Sequence, residues 1–420
     1  MQVLLYNLLV RLYTAGVKFV APFNQKARAW LEGRKMVFDQ LEKTLSGKTT
    51  PLIWMHCASL GEFEQGRPLI EKLKKIYPSH RVLVTFFSPS GYEIQKNYPL
   101  ADLVTYLPVD TASHAAAFLE IARPELILFI KYDFWYHFLR EAKRRSIPVL
   151  LVSAVFRKSQ PFFKWYGTLH RKMLYCFAHL FVQDEKSVRL LQSINITTAT
   201  LSGDTRFDRV TEIAGHFEPI AAIEKFCKNF PVIVAGSTWS EDDEELDHFA
   251  NTHPEMRFII APHTIIPERL EECTKLYKHS MLYSQYQATN TNIQNAEINT
   301  LIIDNIGMLS RLYAYAKVCY VGGAFGGDGV HNVPEAAVYY KPVIYGPVFD
   351  KYFEASELID AGGAFTVEGA LELESVLNHL LSDNNFYQQA ALAAGEYIRS
   401  RTGATGKITG YIQENRLLTS

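Results

Sequence analysis

The sequence predicts an α/β protein with two doubly wound, Rossmann-like domains that face a central cleft. From residue 51 onward, short apolar runs alternate with amphipathic stretches, and this pattern restarts near residue 232. Alternation of this kind predicts parallel sheets with helices on both faces. A chain of 420 residues also suits two domains of roughly 200 residues each better than a single core. We therefore expect ligands to bind at the carboxyl ends of the strands.

Six strands are predicted in the first half of the chain. The clearest helix between them covers 62–76, where Phe63, Leu69 and Leu73 fall on one face. The predicted strands cover 52–57, 82–86, 103–106, 126–130, 149–152 and 180–182.

A second set of six strands is predicted after a pause in the pattern at 202–218. We therefore assign 26–205 to an N-terminal domain and 206–420 to a C-terminal domain, whose last helix could cross back to the first. The polar, Asn/Gln-rich segment 284–296 is predicted to be a surface loop. The strands cover 232–235, 258–261, 301–303, 318–321, 343–345 and 365–367, and the helices cover 241–251, 266–277, 308–316, 333–339, 352–361 and 371–381.

The N-terminal segment 1–25 is predicted to be a membrane-associating helix. It is mostly apolar, but Arg11 and Lys18 interrupt it, so a full span is not favoured. An apolar face followed by the cations Lys26 and Arg28 is typical of a helix lying on the cytoplasmic leaflet. The alternative is an ordinary core helix of the first domain.

Charge and cysteine content exclude several classes of protein. The net charge is −1, which does not favour a nucleic-acid partner. The five cysteines are scattered and form no CxxC pair, so neither a zinc site nor a disulfide framework is indicated. A reducing compartment is the simplest inference.

The most informative segment is the glycine-rich stretch 321–347, VGGAFGGDGVHNVPEAAVYYKPVIYGP. An apolar strand ends in two glycines, and Pro334 and Glu335 then open a helix. Such a turn can hold an anion or a nucleotide sugar, and the alternative is a tight packing corner. Neither the dinucleotide fingerprint nor a Gly-Lys-Ser/Thr phosphate loop is present.

Polar residues also follow strands in the first half. Glu62 ends the turn 56–62, HCASLGE, where it could serve as a general base or simply complement the helix dipole. Segment 131–135 carries charges just beyond a strand, and its alternative is a solvated loop. Arg206 could clamp a carboxylate or phosphate, or form an interdomain salt bridge with Asp204 or Asp208.

Three small-residue turns follow strands in the second half, at 235–238, 261–264 and 305–308. Together with the glycine-rich turn they could line a nucleotide pocket. No DxD motif follows a strand, so no divalent metal is indicated, and no cofactor is expected.

These motifs, in this order, resemble those of the 3-deoxy-D-manno-octulosonic acid (Kdo) transferases. The likeness rests on WMHCASLGE, LVTFFSPSGYE, GDTRFD, AGST, APH, DNIGML and the glycine-rich stretch. It implies a GT-B fold and a metal-independent, inverting glycosyltransferase at the cytoplasmic face of the inner membrane. It also implies transfer of Kdo from CMP-Kdo to the lipid A precursor in lipopolysaccharide biosynthesis, with an acceptor-binding N-terminal domain and a donor-binding C-terminal domain.

The resemblance further implies roles for individual residues. Glu62 matches the family's general base, and Asp133 and Arg206 match residues that assist the transition state. The implied CMP contacts are Pro262, His263, Ile306, Gly307, Met308, Asn332, Val333, Pro334 and Glu335.

The chain departs from the family pattern at several of these positions. Lys131 and Met308 stand where Glu is usual, and His263 stands where Arg is common. Asp133 is one methylene shorter than Glu, and Arg206 replaces Lys. The alternatives are therefore another nucleotide-sugar transferase with a different lipid acceptor, a sugar-nucleotide 2-epimerase, or a non-catalytic membrane scaffold.

The basic, aromatic segment 156–175 could contact anionic lipid or the phosphates of the acceptor. The alternative is a surface helix with a solvated basic side.

Overall fold

The computed structural model describes residues 2–47, 49–288, 298–327 and 329–419. The chain divides into two compact units. The first comprises Met1–Arg209 together with Gly403–Ser420, and the second comprises Val210–Thr402.

The first unit is built on a parallel seven-stranded sheet. Its strands are β1 (Leu52–Cys57), β2 (Arg81–Phe86), β3 (Leu103–Tyr106), β4 (Leu126–Ile130), β5 (Val149–Ala154), β6 (His179–Val182) and β7 (Ala199–Leu201). Their spatial order is β3-β2-β1-β4-β5-β6-β7. The order reverses between β1 and β4, and ligands of open α/β sheets bind at such a switch point.

Helices cover this sheet, whose central strands are buried on both faces. They are α1 (Gln2–Val20), α2 (Gln25–Lys35), α3 (Val37–Leu45), α4 (Leu60–Ile76), α5 (Pro89–Gln95), α6 (Ala112–Ala122), α7 (Tyr136–Arg144), α8 (Thr168–Leu174) and α9 (Glu185–Gln192), with a 3-10 turn at Pro161–Phe163. Helix α10 (Thr205–Gly215) begins in the first unit, and its residues after Arg209 belong to the second.

The second unit repeats the design with another parallel seven-stranded sheet. Its strands are β8 (Val232–Thr238), β9 (Arg257–Pro262), β10 (Ser280–Leu282), β11 (Thr300–Ile302), β12 (Val318–Val321), β13 (Val343–Tyr345) and β14 (Ala364–Thr366). The spatial order is β10-β11-β9-β8-β12-β13-β14, which places a switch point between β8 and β12.

The helices of the second unit are mostly those the sequence predicts. They are α11 (Ala221–Cys227), α12 (Ser240–Thr252), α13 (Pro267–Leu276), α14 (Tyr283–Ala288), α15 (Leu309–Leu312), α16 (Val333–Ala337), α17 (Phe353–Asp360), α18 (Ala370–Ser382) and α19 (Asn384–Arg399), with a 3-10 turn at Tyr313–Tyr315.

Three local predictions differ from the structure. The predicted loop 284–296 begins instead inside α14, and its residues 289–296 lie outside the described ranges. The predicted helix 308–316 is divided into α15 and the 3-10 turn at Tyr313–Tyr315. The short strands β7 and β10 were not predicted, because neither contains a fully buried apolar run.

The last helix, α20 (Ala404–Glu414), belongs to the first unit. Ile408 and Ile412 are fully buried in the core on one face of the first sheet. The carboxylate of Asp208 fixes the start of this helix by accepting hydrogen bonds from the backbone N–H groups of Gly403 and Thr405 at 2.5 and 2.6 Å.

Helix α1 exposes its apolar side chains instead of burying them. None of its described residues is buried, so it is not a core helix. Its length and composition would also suffice to cross a membrane. The hydroxyl of Tyr6 donates to Asp110 Oδ2 at 2.5 Å, and His137 Nε2 lies 2.7 Å from Asn7 Oδ1. The helix is therefore fastened to the first unit by polar contacts. Its exposed large side chains are Leu4, Leu5, Leu8, Leu9, Leu12, Tyr13, Phe19 and Val20.

Candidate active site and nucleotide site

Glu62 lies in the first turn of α4, five residues beyond the end of β1. It is half-buried, and the Ser59 hydroxyl donates a hydrogen bond to its carboxylate. Burial raises the pKa of the Cys57 thiol, and the Glu62 and Asp133 carboxylates raise that pKa further. Both predicted acidic residues therefore lie within electrostatic range of Cys57, the last residue of β1, beside the switch point.

Asp133 follows β4, which pairs directly with β1. Its Oδ2 lies 2.9 Å from Nε2 of His56, the buried histidine near the end of β1. Trp135 Nε1 also approaches this oxygen, at 3.4 Å. Lys131, at the start of the loop, has φ +61°, a left-handed conformation that costs a non-glycine residue of order 1 kcal/mol or more.

The orientation of His56 follows from a chain of hydrogen bonds. Trp54 Nε1, which can only donate, lies 2.8 Å from Thr85 Oγ1. The Thr85 hydroxyl hydrogen can then go to His56 Nδ1, 2.9 Å away. In that arrangement neutral His56 carries its proton on Nε2 and donates it to Asp133, while Trp135 Nε1 also lies 3.2 Å from Nε2. The imidazole of His56 therefore orients the Asp133 carboxylate through a hydrogen bond.

Arg206 lies at the start of α10, where it is paired with Asp204 in the same unit. Its Nε and one terminal nitrogen each lie 2.9 Å from Asp204 Oδ2. The Arg206 side chain is 25% exposed, while that of Asp204 is 4% exposed. The ion pair with Asp204, weighed as an interdomain salt bridge, is present, but both of its residues belong to the first unit.

Gln65 joins this turn to the helix of Glu62. Its Nε2 donates to both carboxylate oxygens of Asp204, at 3.0 and 3.1 Å. Its backbone carbonyl accepts a 2.5 Å hydrogen bond from the Thr205 hydroxyl. Because Gln65 follows Glu62 by three residues in α4, these bonds fix the position of Arg206 relative to that carboxylate.

Tyr132 reports how the charges of the first unit are grouped. Partial burial raises its pKa; Arg157 and Arg206 lower that pKa, while Asp204 and Glu62 raise it. All four charged residues therefore lie within electrostatic range of one phenol beside Asp133. The structure brings Glu62, Asp133 and Arg206 to the same edge of the first sheet.

The glycine-rich turn of the second unit is closed tightly on β8. A Cβ on Gly322 would lie 2.5 Å from the carbonyl oxygen of Ser237, so only glycine fits there. The backbone N–H groups of Gly323 and Trp239 donate to Asp242 Oδ2 at 2.8 and 2.9 Å. Burial raises the pKa of the Asp242 carboxyl, although these two hydrogen bonds act in the opposite direction.

The side chains predicted to contact CMP do not all face solvent. Met308 and Val333 are 8% and 1% exposed, and Pro334 is also buried. The Val333 N–H donates to His331 O at 2.9 Å, and the Pro334 carbonyl accepts from Val338. Ile306 is 87% exposed, and Gly307 has φ +94°.

The remaining predicted contacts lie at the ends of β9 and of the glycine-rich turn. Pro262 ends β9 as a buried residue, and His263 follows it with an exposed ring. Asn332 Nδ2 donates to Glu335 Oε1 at 2.6 Å. Helix α16 has only five residues, so its dipole is smaller than the sequence pattern implied.

A stack of three rings was not predicted as part of this site. The His263 ring stacks on Trp239 and on His331, with centroids 4.7 and 4.5 Å apart. Trp239 Nε1 donates to His331 Nε2 at 3.0 Å, so neutral His331 carries its proton on Nδ1. The residues follow β8, β9 and β12, three neighbouring strands around the switch point. The position of Trp239 directly after the AGST turn is the one signal that could have indicated it.

Comparison with known proteins agrees with the motifs. Residues 32–209 match the family model described as 3-Deoxy-D-manno-octulosonic-acid transferase (kdotransferase). The chain is 26% identical over 341 residues to the 3-deoxy-D-manno-octulosonic acid transferase of Aquifex aeolicus, covering 79% of this chain and 86% of the relative. It is also 26% identical over 365 residues to a bifunctional glycosyltransferase/methyltransferase of Fusobacterium nucleatum, covering 83% of this chain but 56% of that protein.

Solved structures support the fold. UDP-GlcNAc 2-epimerase from Neisseria meningitidis matches 86% of this chain and 100% of its own, with a TM-score of 0.61 and 17% identity. MurG from Acinetobacter baumannii matches 87% of this chain and 99% of its own, with a TM-score of 0.53 and 13% identity. The predicted GT-B class and the resemblance to Kdo transferases are confirmed. At such low identity the structural matches show the fold alone.

Proposed function

From the Kdo transferase domain in the first unit, we propose that this chain transfers Kdo from CMP-Kdo to the lipid A precursor lipid IVA in lipopolysaccharide biosynthesis. The single observation that carries the proposal is the grouping of Glu62, the His56–Asp133 pair and Arg206 at one edge of the first sheet. A base, a supported carboxylate and a cation are the groups that this group transfer needs.

Glu62 is proposed as the general base. Its carboxylate takes the proton from the acceptor hydroxyl while that oxygen forms a bond to the anomeric carbon of Kdo. The bond from this carbon to the phosphate oxygen breaks, its electron pair leaves with CMP, and attack from the opposite face inverts the configuration. The hydrogen bond from Ser59 holds the carboxylate at the turn. Such a base typically contributes about 10²–10⁴ in rate.

Asp133 and Arg206 are proposed to stabilise the charges that develop during transfer. Kdo departs through an oxocarbenium-like state, which the Asp133 carboxylate can stabilise while His56 fixes its orientation. Arg206 is held by Asp204 and supplies a cation for the sugar carboxylate or the leaving phosphate. This arrangement needs no metal ion.

The second unit is proposed to bind the CMP part of the donor. The backbone N–H groups of Gly307 and Met308 suit the phosphate, and the exposed Ile306 suits the base. Val333 and Pro334 can supply only apolar contact, because the Val333 N–H donates to His331 O and Pro334 has no N–H. A carboxylate repels phosphate, so Glu335, oriented by Asn332, suits the ribose hydroxyls. Pro262 and His263 complete the set at the end of β9.

We further propose that α1 holds the enzyme on the cytoplasmic face of the inner membrane as a peripheral or monotopic protein. Its exposed leucines supply an apolar face, and Arg11 and Lys18 can extend toward lipid headgroups. Its polar contacts to Asp110 and His137 favour a helix lying on the surface rather than crossing the bilayer.

The test is incubation with CMP-Kdo and tetra-acylated lipid A precursor, read by mass spectrometry. We expect product with a mass increased by whole Kdo residues. CMP-sialic acid and UDP-GlcNAc serve as alternative donors. Conversion of UDP-GlcNAc without an acceptor would establish the 2-epimerase alternative, and transfer to a different lipid would establish another acceptor. Donor binding without any product would support the non-catalytic scaffold.

A further inference from the structure

A basic cavity lies on the first unit, where the loop after β5 meets α9. Its volume is about 440 Å³, within the range of about 300–1,000 Å³ of small-molecule sites. Two apolar side chains and four cationic ones line it: Phe156, Leu190, Arg157, Lys158, Lys186 and Arg189. Phe156, Arg157 and Lys158 begin the segment 156–175, for which the sequence predicted contact with anionic lipid or acceptor phosphates.

One buried hydrogen bond joins the two walls of the cavity, and each wall has a further hydrogen bond of its own. The backbone N–H of Phe156 donates to the Ser187 hydroxyl at 2.7 Å. The Ser187 N–H in turn donates to Asp184, which caps α9, at 2.7 Å. On the other side, the Arg157 N–H donates to Gln160 Oε1 at 2.9 Å. The backbone that carries the cations is therefore held in place before any ligand arrives.

The cavity carries a net positive charge, because only one of its four cationic side chains is paired with the carboxylate of Glu185. Glu185 accepts an ion pair from Arg189 at 3.2 Å, and both side chains are largely exposed. Arg157, Lys158 and Lys186 are exposed residues that also line the cavity, and each adds one positive charge at its rim. An anion with two charges, such as a phosphate monoester, best offsets their mutual repulsion.

The cavity adjoins the candidate active site. Phe156 forms its floor, 3% exposed, and the Phe156 ring lies 6.5 Å from that of Phe134, the residue after Asp133. Arg157 also lies within electrostatic range of Tyr132, as Glu62 and Arg206 do. A ligand in the cavity would therefore lie beside the residues that handle the acceptor hydroxyl.

We propose that this cavity binds a phosphate ester on the glycolipid acceptor and so positions its hydroxyl for Glu62. The proposal rests on the proposed function, because it takes the acceptor to be a phosphorylated glycolipid. The apolar floor would contact the sugar ring, and the cations would contact the phosphate oxygens. The same chemistry could come from a phospholipid headgroup or from free phosphate, so the experiment distinguishes these sources.

The test variant is Arg157→Gln/Lys158→Gln/Lys186→Gln, which leaves the Arg189–Glu185 pair intact. The matched control removes three exposed lysines of the second unit: Lys225→Gln/Lys228→Gln/Lys278→Gln. Binding of detergent-solubilised bisphosphorylated acceptor and of the same glycolipid without phosphates is measured by calorimetry. We expect the test variant to bind the phosphorylated acceptor about tenfold more weakly, while binding of the dephosphorylated form changes less than about twofold.

Several further readings separate the possible outcomes. The control variant should bind both acceptors as the wild type does. The test variant should hydrolyse CMP-Kdo at the wild-type rate. Inorganic phosphate should compete only weakly. An equal loss for both acceptors would overturn the proposal. A second result would also overturn it: the test variant keeps its preference for the phosphorylated acceptor but floats less with phosphatidylglycerol vesicles. That result would assign the cavity to lipid headgroups.

Failure of the proposed function would look different. A wild-type chain that neither binds CMP-Kdo nor makes product would refute the transferase activity. Phosphate-dependent binding of the glycolipid, lost in the test variant, would still support the cavity as its site, because the calorimetric measurement needs no turnover.

Discussion

Nε2 of His56 lies 2.9 Å from Oδ2 of Asp133, although the two residues are 77 positions apart in the chain. Parallel pairing of β1 with β4 places His56 opposite Phe129, four residues before Asp133. His56 is fully buried, and Thr85 fixes its other ring nitrogen. The carboxylate therefore points in a direction set by the core of the first unit.

Replacing Asp133 by Asn should lower kcat while leaving donor binding intact. The amide keeps the shape but removes the charge that stabilises an oxocarbenium-like state. Loss of one such electrostatic contact typically costs about 10²–10³ in kcat. We expect a fall within that range, with KM for the donor changed less than about twofold. Steady-state kinetics with both substrates measure it.

The matched control for that variant is Asp39→Asn, on the exposed side of α3. It makes the same chemical change in the same unit, away from β1 and β4. Normal kcat in Asp133→Asn, or an equal loss in the control, would remove Asp133 from the mechanism.

Glu62→Gln should abolish transfer while CMP-Kdo binding survives. Glutamine retains the contact with Ser59 as a neutral group but cannot accept the proton, so kcat should fall about 10²–10⁴-fold. Glu64→Gln, two residues along α4, is the control, because its ion pair with Arg67 at 3.1 Å is partly exposed and contributes little. Turnover at the wild-type rate in Glu62→Gln would assign the base role to another group.

Local sequence patterns were enough to predict most of the fold. Buried parallel strands such as β1 and β4 are continuous apolar runs, and their turns end in small or polar residues. Strands β7 and β10 have three residues each and lack a fully buried run, so their pairing depends on neighbours distant in sequence. The position of α20 likewise depends on burial of Ile408 and Ile412 in a core formed about 300 residues earlier.

A residue of the candidate site could be predicted only where it belongs to a short sequence motif directly after a strand. Glu62 and the glycine-rich turn could be identified in this way. The partners that orient the site could not, because Gln65 meets Asp204 across 139 positions and Trp239 meets His331 across 92. Such contacts are set by strand order, which no short motif contains. The turn HCASLGE likewise contains no signal for the bond from His56 to Asp133, 77 positions away.

The stack of Trp239, His263 and His331 should contribute to donor binding. Trp239→Ala removes one ring of the stack and the N–H that orients His331. Aromatic pairs contribute about 0.5–1.5 kcal/mol, so Kd for CMP-Kdo should rise about two- to tenfold. Trp239→Phe, which keeps a ring, should show a smaller increase. Trp165→Ala, 91% exposed in the first unit, is the control. Unchanged Kd in Trp239→Ala would exclude the stack from the donor site.

Removal of divalent metal should leave activity intact. The described residues contain no group of three His, Cys, Asp or Glu side chains suited to a metal ion. In the proposed mechanism Arg206 and backbone groups balance the charge of the donor instead. We expect initial rates with excess EDTA to match those with added Mg²⁺. A strict requirement for Mg²⁺ that returns on re-addition would contradict this mechanism.

The link between Gln65 and Asp204 should hold the first unit together as well as position Arg206. Gln65 is fully buried, and Asp204 accepts two of its hydrogen bonds from the Gln65 amide. Gln65→Leu removes one donor from this carboxylate, which still accepts from Gln183 and Arg206. Loss of one hydrogen bond to a charged group typically costs about 1.5–3 kcal/mol. Gln65→Glu should cost more, because it places two buried carboxylates in contact. We therefore expect the melting temperature to be highest for the wild type, lower for Gln65→Leu and lowest for Gln65→Glu.

The exposed substitution Gln413→Glu in α20 controls for the added charge. Thermal unfolding followed by circular dichroism gives the order of stability, and kinetics at a temperature where all variants are folded give the effect on Arg206. Since Gln65 joins α4 to the turn before α10, kcat should fall in Gln65→Leu even where the fold is intact. A Gln65→Glu variant as stable as the wild type would show that the contact between residue 65 and Asp204 does not stabilise the first unit. Full activity in Gln65→Leu would show that this contact does not position Arg206.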